Sequence, residues 1–164
     1  MTKTHENLMA AYAGESQANH RYLAFAKKAD QEGYSQIARL FRAAAAAEAV
    51  HAGNHMRAAE GIKSTMENLK VALGGENYEV NIMYPPMLAT AEEEDDKKAA
   101  TSFHWALEVE KIHATLYSDA LDNMESKDTY EYTVCPSCGY THKGPAPDKC
   151  PVCGAAGTKF ETIK

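Results

Sequence analysis

Two copies of one four-residue pattern constrain this chain more than any other feature: Glu48-Ala-Val-His51 and Glu110-Lys-Ile-His113. Three residues turn an α-helix through about 300°, so each Glu shares a face with its His, one turn away. Both patterns lie in strongly helix-forming stretches. Each also follows a glutamate on the preceding stretch: Glu15 is 33 residues before Glu48, and Glu79 is 31 before Glu110. The chain therefore reads as two similar halves, each a helix carrying Glu, a loop, and a helix carrying Glu-x-x-His. One such pattern on a helix is common and is usually surface charge. Two, each with an upstream Glu at nearly the same distance, specify a mainly α four-helix bundle with a polar site inside it.

The chemistry of that site follows from the residue types. One Glu from each of two helices, with Glu-x-x-His from the other two, is the ligand set of ferritin-like di-iron or di-manganese carboxylate sites. Four carboxylates neutralise two divalent cations and can bridge them, and two imidazoles add one nitrogen per metal. Without cations, the same carboxylates would be costly to bury. Tyr22, seven residues after Glu15, and Tyr117, seven after Glu110, each share a face with a ligand glutamate and could hydrogen-bond it.

Helix punctuation supports the count. Apolar positions recur at helical spacing over residues 4–31, and Gly33 closes that helix. Ser35 is a suitable N-cap for a second helix running to Gly61, which contains five consecutive alanines, Ala43 to Ala47. Ser64 or Thr65 caps a short connecting helix predicted to end at Gly74-Gly75. A third long helix then begins near Glu76, with a kink or break predicted at Pro85-Pro86. The acidic run Glu92 to Asp96 marks a solvated turn, and a fourth helix runs from about Lys97 to Ser126.

The composition changes after residue 128. All four cysteines and four of the six prolines lie in the last 36 residues. So short a segment cannot bury enough core to fold alone and needs a staple. Cys135-Pro-Ser-Cys138-Gly and Cys150-Pro-Val-Cys153-Gly, with eleven residues between Cys138 and Cys150, supply one. Paired knuckles at this spacing indicate a tetrahedral four-sulfur site for zinc or a single iron, and spacing alone does not separate the two metals. The boundaries read as a bundle over 1–128 and a small four-cysteine β domain over 129–164.

Charge and hydropathy exclude other classes. The net charge is −6 and no Lys/Arg-rich run is present, which argues against a nucleic-acid partner. No stretch approaches the ~18 apolar residues of a membrane span, and the first residues show no signal-peptide pattern. These features predict a cytoplasmic protein without membrane attachment, where clustered cysteines bind metal rather than pair as disulfides.

Taken together, Ala13-Gly14-Glu15-Ser16 with Tyr22, Glu48-x-x-His51, Glu79 with Met83-Tyr84-Pro85, Glu110-Lys-Ile-His113 and the paired knuckles resemble the rubrerythrin family over nearly the whole chain. The resemblance implies a di-iron peroxidase that reduces hydrogen peroxide to water in oxidative-stress defence. Two irons would be held by Glu15, Glu48, His51, Glu79, Glu110 and His113, with Tyr22 a proton relay. It also implies a rubredoxin-like domain whose Cys135, Cys138, Cys150 and Cys153 hold one iron (zinc on misloading). Electrons would come from a rubredoxin or an NAD(P)H-dependent reductase. In the family a further carboxylate follows the position matching Glu79 by three residues and exchanges with the first-half histidine as an iron ligand. Here that position is Ile82, with Glu76 one turn before Glu79 as a substitute.

From Glu110 to Ser126 a helix extends about 24 Å, which predicts that the two iron sites of one chain lie far apart. A homodimer would then bring the tail of one subunit to the bundle of another. The resemblance implies this too, with helices exchanged between subunits in some members. Two alternatives stay open on the residues alone: a ferroxidase or iron-handling protein, and a non-enzymatic helical adapter with a structural zinc ribbon.

Overall fold

The computed structural model describes residues 2–163. The chain divides into two compact units, Met1–Lys63 and Ser64–Lys164. The second unit includes both the Glu110 helix and the cysteine-rich tail, so the compact division does not coincide with the change in composition at residue 128.

The first unit is a hairpin of α1 (Lys3–Gln31) and α2 (Ser35–Ala58). Thr2 caps α1 by accepting from the His5 amide. Gly33, at φ +84°, ends α1. The Tyr34 amide reaches back to the Ala29 carbonyl, and the Gly33 amide to that of Asp30. This paired closure needs a left-handed residue, which glycine adopts at no steric cost. The buried residues of the hairpin are alanines, among them Ala26, Ala29, Ala38, Ala45 and Ala52. Small side chains let the helices approach closely enough for the Asn19 amide to donate to the Ala45 carbonyl at 2.7 Å. Around them Tyr22, Phe25 and Phe41 form an aromatic cluster, with Phe25 and Phe41 edge to face at 5.5 Å.

The second unit starts with α3 (Thr65–Tyr78), capped by a reciprocal Ser64–Glu67 pair. The helix does not stop at Gly74-Gly75. It passes through a π-helical turn, Glu79–Met83, directly into α4 (Tyr84–Glu93). Two glycines inside a helix cost about 1 kcal/mol each, and here packing against α5 outweighs that propensity. The prolines do not break the helix either. They follow the wide turn, in which the Tyr84 amide bonds five residues back to the Glu79 carbonyl. The acidic run has a specific structure. Asp95 is left-handed at φ +52°, and Asp96 caps α5 (Lys97–Asp122) by accepting from the Lys98 and Ala99 amides. Counting α3 through α4 as one continuous rod, the described residues form the expected four long helices.

The tail is a three-stranded antiparallel sheet of β1 (Tyr132–Val134), β2 (Thr141–Lys143) and β3 (Glu161–Ile163), in the order β2-β1-β3. Strand β2 packs on α5. Gly139 sits at this contact, where a Cβ would lie 3.8 Å from Val109 Cγ1.

Candidate metal centres

On the hairpin, Glu15, Glu48 and His51 each present a ligand atom, and these atoms lie within 4.8 Å of one another. His51 Nδ1 is 2.7 Å from Glu48 Oε2, as the one-turn spacing of Glu-x-x-His requires. Tyr22 is half-buried and packs against Phe25 and Phe41; among the described residues its hydroxyl makes no hydrogen bond to these carboxylates.

The second unit carries a matching cluster, with one difference from the sequence reading. The carboxylate grouped with Glu110 and His113 is Glu76. His113 Nδ1 lies 2.6 Å from Glu110 Oε2 and 3.8 Å from Glu76 Oε2. Glu79 is one turn further along and outside that tight group, but close enough for the charges of Glu110 and His113 to act on it. The two carboxylates spaced by a turn are therefore Glu76 and Glu79. Ile82, one turn further on, is 59% exposed.

Tyr84 is a further participant that sequence reasoning passed over as a site residue. Burial, then the charges of Glu79, Glu110 and Glu76, push its hydroxyl up from the ordinary tyrosine range. The π turn explains its position. In a regular helix Tyr84 would point about 140° away from Glu79, whereas the extra residue in the wide turn makes five positions act as four. Glu76, Glu79 and Tyr84 then share one face.

The donor set fits divalent cations. Ligands about 2.1 Å from one ion stand at most about 4.2 Å apart, so small side-chain rotations bring either cluster to that spacing. Charge supports the same conclusion. Burial, then a hydrogen bond to Glu110 and the charges of Glu110 and Glu79, raise Glu76 from 4.5 to about 7. With no cation present, burial and the neighbouring carboxylates favour the protonated form of Glu76, and a cation can take the proton's place.

In the tail the four thiols are free, and their sulfurs lie within 4.8 Å of one another. Cys135 and Cys153 Sγ are 3.6 Å apart, and Cys138 and Cys150 Sγ 3.5 Å apart. A disulfide requires about 2.05 Å. Tetrahedral ligands about 2.3 Å from one metal would stand about 3.8 Å apart, which matches. Each knuckle closes in the same way. The Gly139 amide bonds the Cys135 carbonyl at 2.9 Å, and the Gly154 amide bonds that of Cys150 at 3.0 Å, with both glycines at positive φ. Burial opposes ionisation of Cys135, yet the Ser137 and Cys138 amides and the neighbouring thiols outweigh it and bring the group down to about 7. Cys138 and Cys153 are pushed up, chiefly by burial. Four thiolates cannot coexist here without a cation.

The tail does not stand far from its own bundle helix. Residues 123–131 reverse the chain, and β2 returns along α5 until Thr141 Oγ1 is 2.9 Å from His113 Nε2. Cys138 is only three residues from Thr141, a span of about 10 Å at most. The expected long separation assumed that the chain continues onward from α5, and this reversal overturns it.

Comparison with known proteins places these sites in context. The rubrerythrin family model matches residues 6–121, and the model for the rubredoxin-like domain of rubrerythrin matches residues 134–161. The chain belongs to the rubrerythrin family. It is 39% identical to rubrerythrin-2 of Clostridium acetobutylicum over 98% of this chain and 96% of that protein. It is 42% identical to nigerythrin of Nitratidesulfovibrio vulgaris, over 92% of this chain and 81% of that one. Among solved structures, fully reduced, all-ferrous nigerythrin superposes with a TM-score of 0.60 at 38% identity, covering 99% of this chain and 88% of that one. Rubrerythrins are oxidoreductases with a di-iron site and an iron in the rubredoxin-like four-cysteine site, and this chain carries the Glu/His and cysteine groups for both. No helix among the described residues is long and apolar enough to cross a membrane.

Proposed function

We propose that this rubrerythrin is a peroxidase: hydrogen peroxide, two electrons and two protons give two waters. The observation that carries the reading is the four-cysteine site docked on α5 beside His113. A one-electron site at a metal ligand serves a reductase that must be recharged every turnover. A ferroxidase delivers electrons outward and has no need of it. A zinc-ribbon adapter would not need two Glu/His clusters.

The residues divide the work as follows. Each cluster offers two carboxylates and one imidazole, and four carboxylates with two imidazoles are the ligand set of a ferritin-like di-iron centre. When bound, the irons supply the two electrons and polarise the O–O bond. Glu79, beside the Glu76 cluster, offers a fifth carboxylate. Tyr84 keeps its proton and donates it to the departing oxygen, the role sequence reasoning gave to Tyr22. Cys135, Cys138, Cys150 and Cys153 would hold the third iron, for which a rubredoxin or an NAD(P)H-dependent reductase in the cytoplasm would be the electron donor.

The working form in this reading is a homodimer, and exchange of helices between subunits is one way to build it. Phe25, Ile37, Leu40 and Val50 of the hairpin are exposed, and Leu40 is 66% so. Apolar residues exposed this far along one hairpin call for a partner surface. Sedimentation at working concentration should give twice the chain mass; a monomer would refute the dimer.

The decisive experiment is anaerobic purification followed by metal analysis and visible spectroscopy. About three irons per chain are expected, with the red spectrum of a ferric tetrathiolate, bleached by dithionite and restored by peroxide. Failure of peroxide to restore the colour in fully iron-loaded protein would refute the peroxidase reading.

A further inference from the structure

Thr141 is the first residue of β2 and half-buried. Its hydroxyl donates to the Gly139 carbonyl at 3.1 Å, which leaves the oxygen lone pairs facing His113 Nε2 at 2.9 Å. Gly139 directly follows Cys138. The imidazole therefore has carboxylates at Nδ1 and the cysteine knuckle, through one hydroxyl, at Nε2.

The directions of these bonds agree. For Nδ1 to present a lone pair to a cation between itself and Glu110, the ring proton must sit on Nε2, and Thr141 Oγ1 is there to accept it. With its own proton turned to the Gly139 carbonyl, the Thr141 hydroxyl meets Nε2 as an acceptor. The ring would otherwise have room to turn, because it borders a cavity of about 310 Å³ that Leu116, Tyr117 and Tyr132 also line. His51, in the equivalent place of the other Glu-x-x-His motif, has Glu48 at Nδ1 but no hydroxyl partner at Nε2 among the described residues.

We infer that Thr141 is a positioning residue: it fixes the tautomer and ring plane of His113 and couples the Cys135–Cys138 knuckle to the metal ligands of α5. The coupling rests on the peroxidase reading, whereas the tautomer does not.

The test uses the full chain with Thr141→Val, which keeps the branched shape and removes the hydroxyl, and Thr141→Ser, which restores it. With zinc in every site as a diamagnetic probe, nitrogen–proton NMR reads His113 directly. The wild type and Thr141→Ser should show one tautomer with a solvent-protected Nε2 proton, and Thr141→Val should lose that protection. With iron in every site, dithionite-reduced protein is mixed with peroxide. Return of the tetrathiolate colour should slow about tenfold or more in Thr141→Val, at unchanged iron content, and recover in Thr141→Ser. A protected Nε2 proton in Thr141→Val would overturn the positioning role, and an unchanged rate would overturn the coupling. If wild type itself fails to respond to peroxide, the peroxidase reading falls and the NMR result still decides Thr141. Should Thr141→Val disrupt the tail, Thr141→Ala against Thr141→Ser gives the same comparison.

Discussion

Replacing Glu76 by glutamine should make the metal-free protein more stable, by an amount that depends on pH. Glu76 has a side chain only 17% exposed and sits against Glu110, and its carboxyl is raised from 4.5 to about 7. A group whose folded value is raised contributes its full stability below the unfolded value and loses it as pH climbs through the folded one. The window therefore runs from pH 4.5 to about 7. At about 1.4 kcal/mol per pH unit, the wild type loses about 3 kcal/mol across it from this group. Glutamine keeps the shape and a hydrogen bond to Glu110 but does not titrate. The difference between Glu76→Gln and wild type, measured by urea unfolding of metal-stripped protein at several pH values, should grow by about 3 kcal/mol in favour of the variant across that window. Taking the difference cancels groups common to both proteins. With metal bound the order should reverse, because the variant has lost a ligand charge. A difference that stays flat with pH would refute the argument that Glu76 and Glu110 compete for ionisation.

Three further outcomes are expected. Tyr84→Phe should lower peroxide turnover about a hundredfold at unchanged iron content, checked by steady-state kinetics beside metal analysis; equal turnover would exclude Tyr84 as proton donor. Cys150→Ser removes a ligand that is 3% exposed and should abolish the tetrathiolate spectrum and open the tail to proteolysis while the bundle keeps its iron. Glu60→Gly, at a helix end where Glu60 is held at φ +53°, should raise stability by about 1 kcal/mol, read from chemical denaturation.

Much of this architecture was legible in the residues, for identifiable reasons. Glu-x-x-His keeps a fixed angular relation inside any α-helix, so Glu48–His51 and Glu110–His113 could be paired from spacing alone. The cysteine knuckles are local and carry their own turn glycines. What escaped was whatever depends on a change of helical phase or of chain direction. Glu76 and Glu79 compete for one role at one-turn spacing, and only packing against α5 distinguishes them. Tyr84 joins the site through a π turn, which ordinary helical arithmetic does not anticipate. Gly74-Gly75 looked like a terminus because propensity was weighed without the helix beside it. The return of the tail to His113 depends on a reversal over residues 123–131 that has neither glycine nor proline to announce it.

The wide turn at Glu79–Met83 is followed at once by Pro85 and Pro86. Such a turn can in general migrate along a helix, each amide handing its bond to the next carbonyl in succession. Moving one step toward the C-terminus here would require the Pro85 nitrogen to donate to the Val80 carbonyl, and proline has no proton to give. The wide turn therefore closes on Tyr84, the last amide donor before the two prolines, and the carboxylates Glu76 and Glu79 lie at its opposite end.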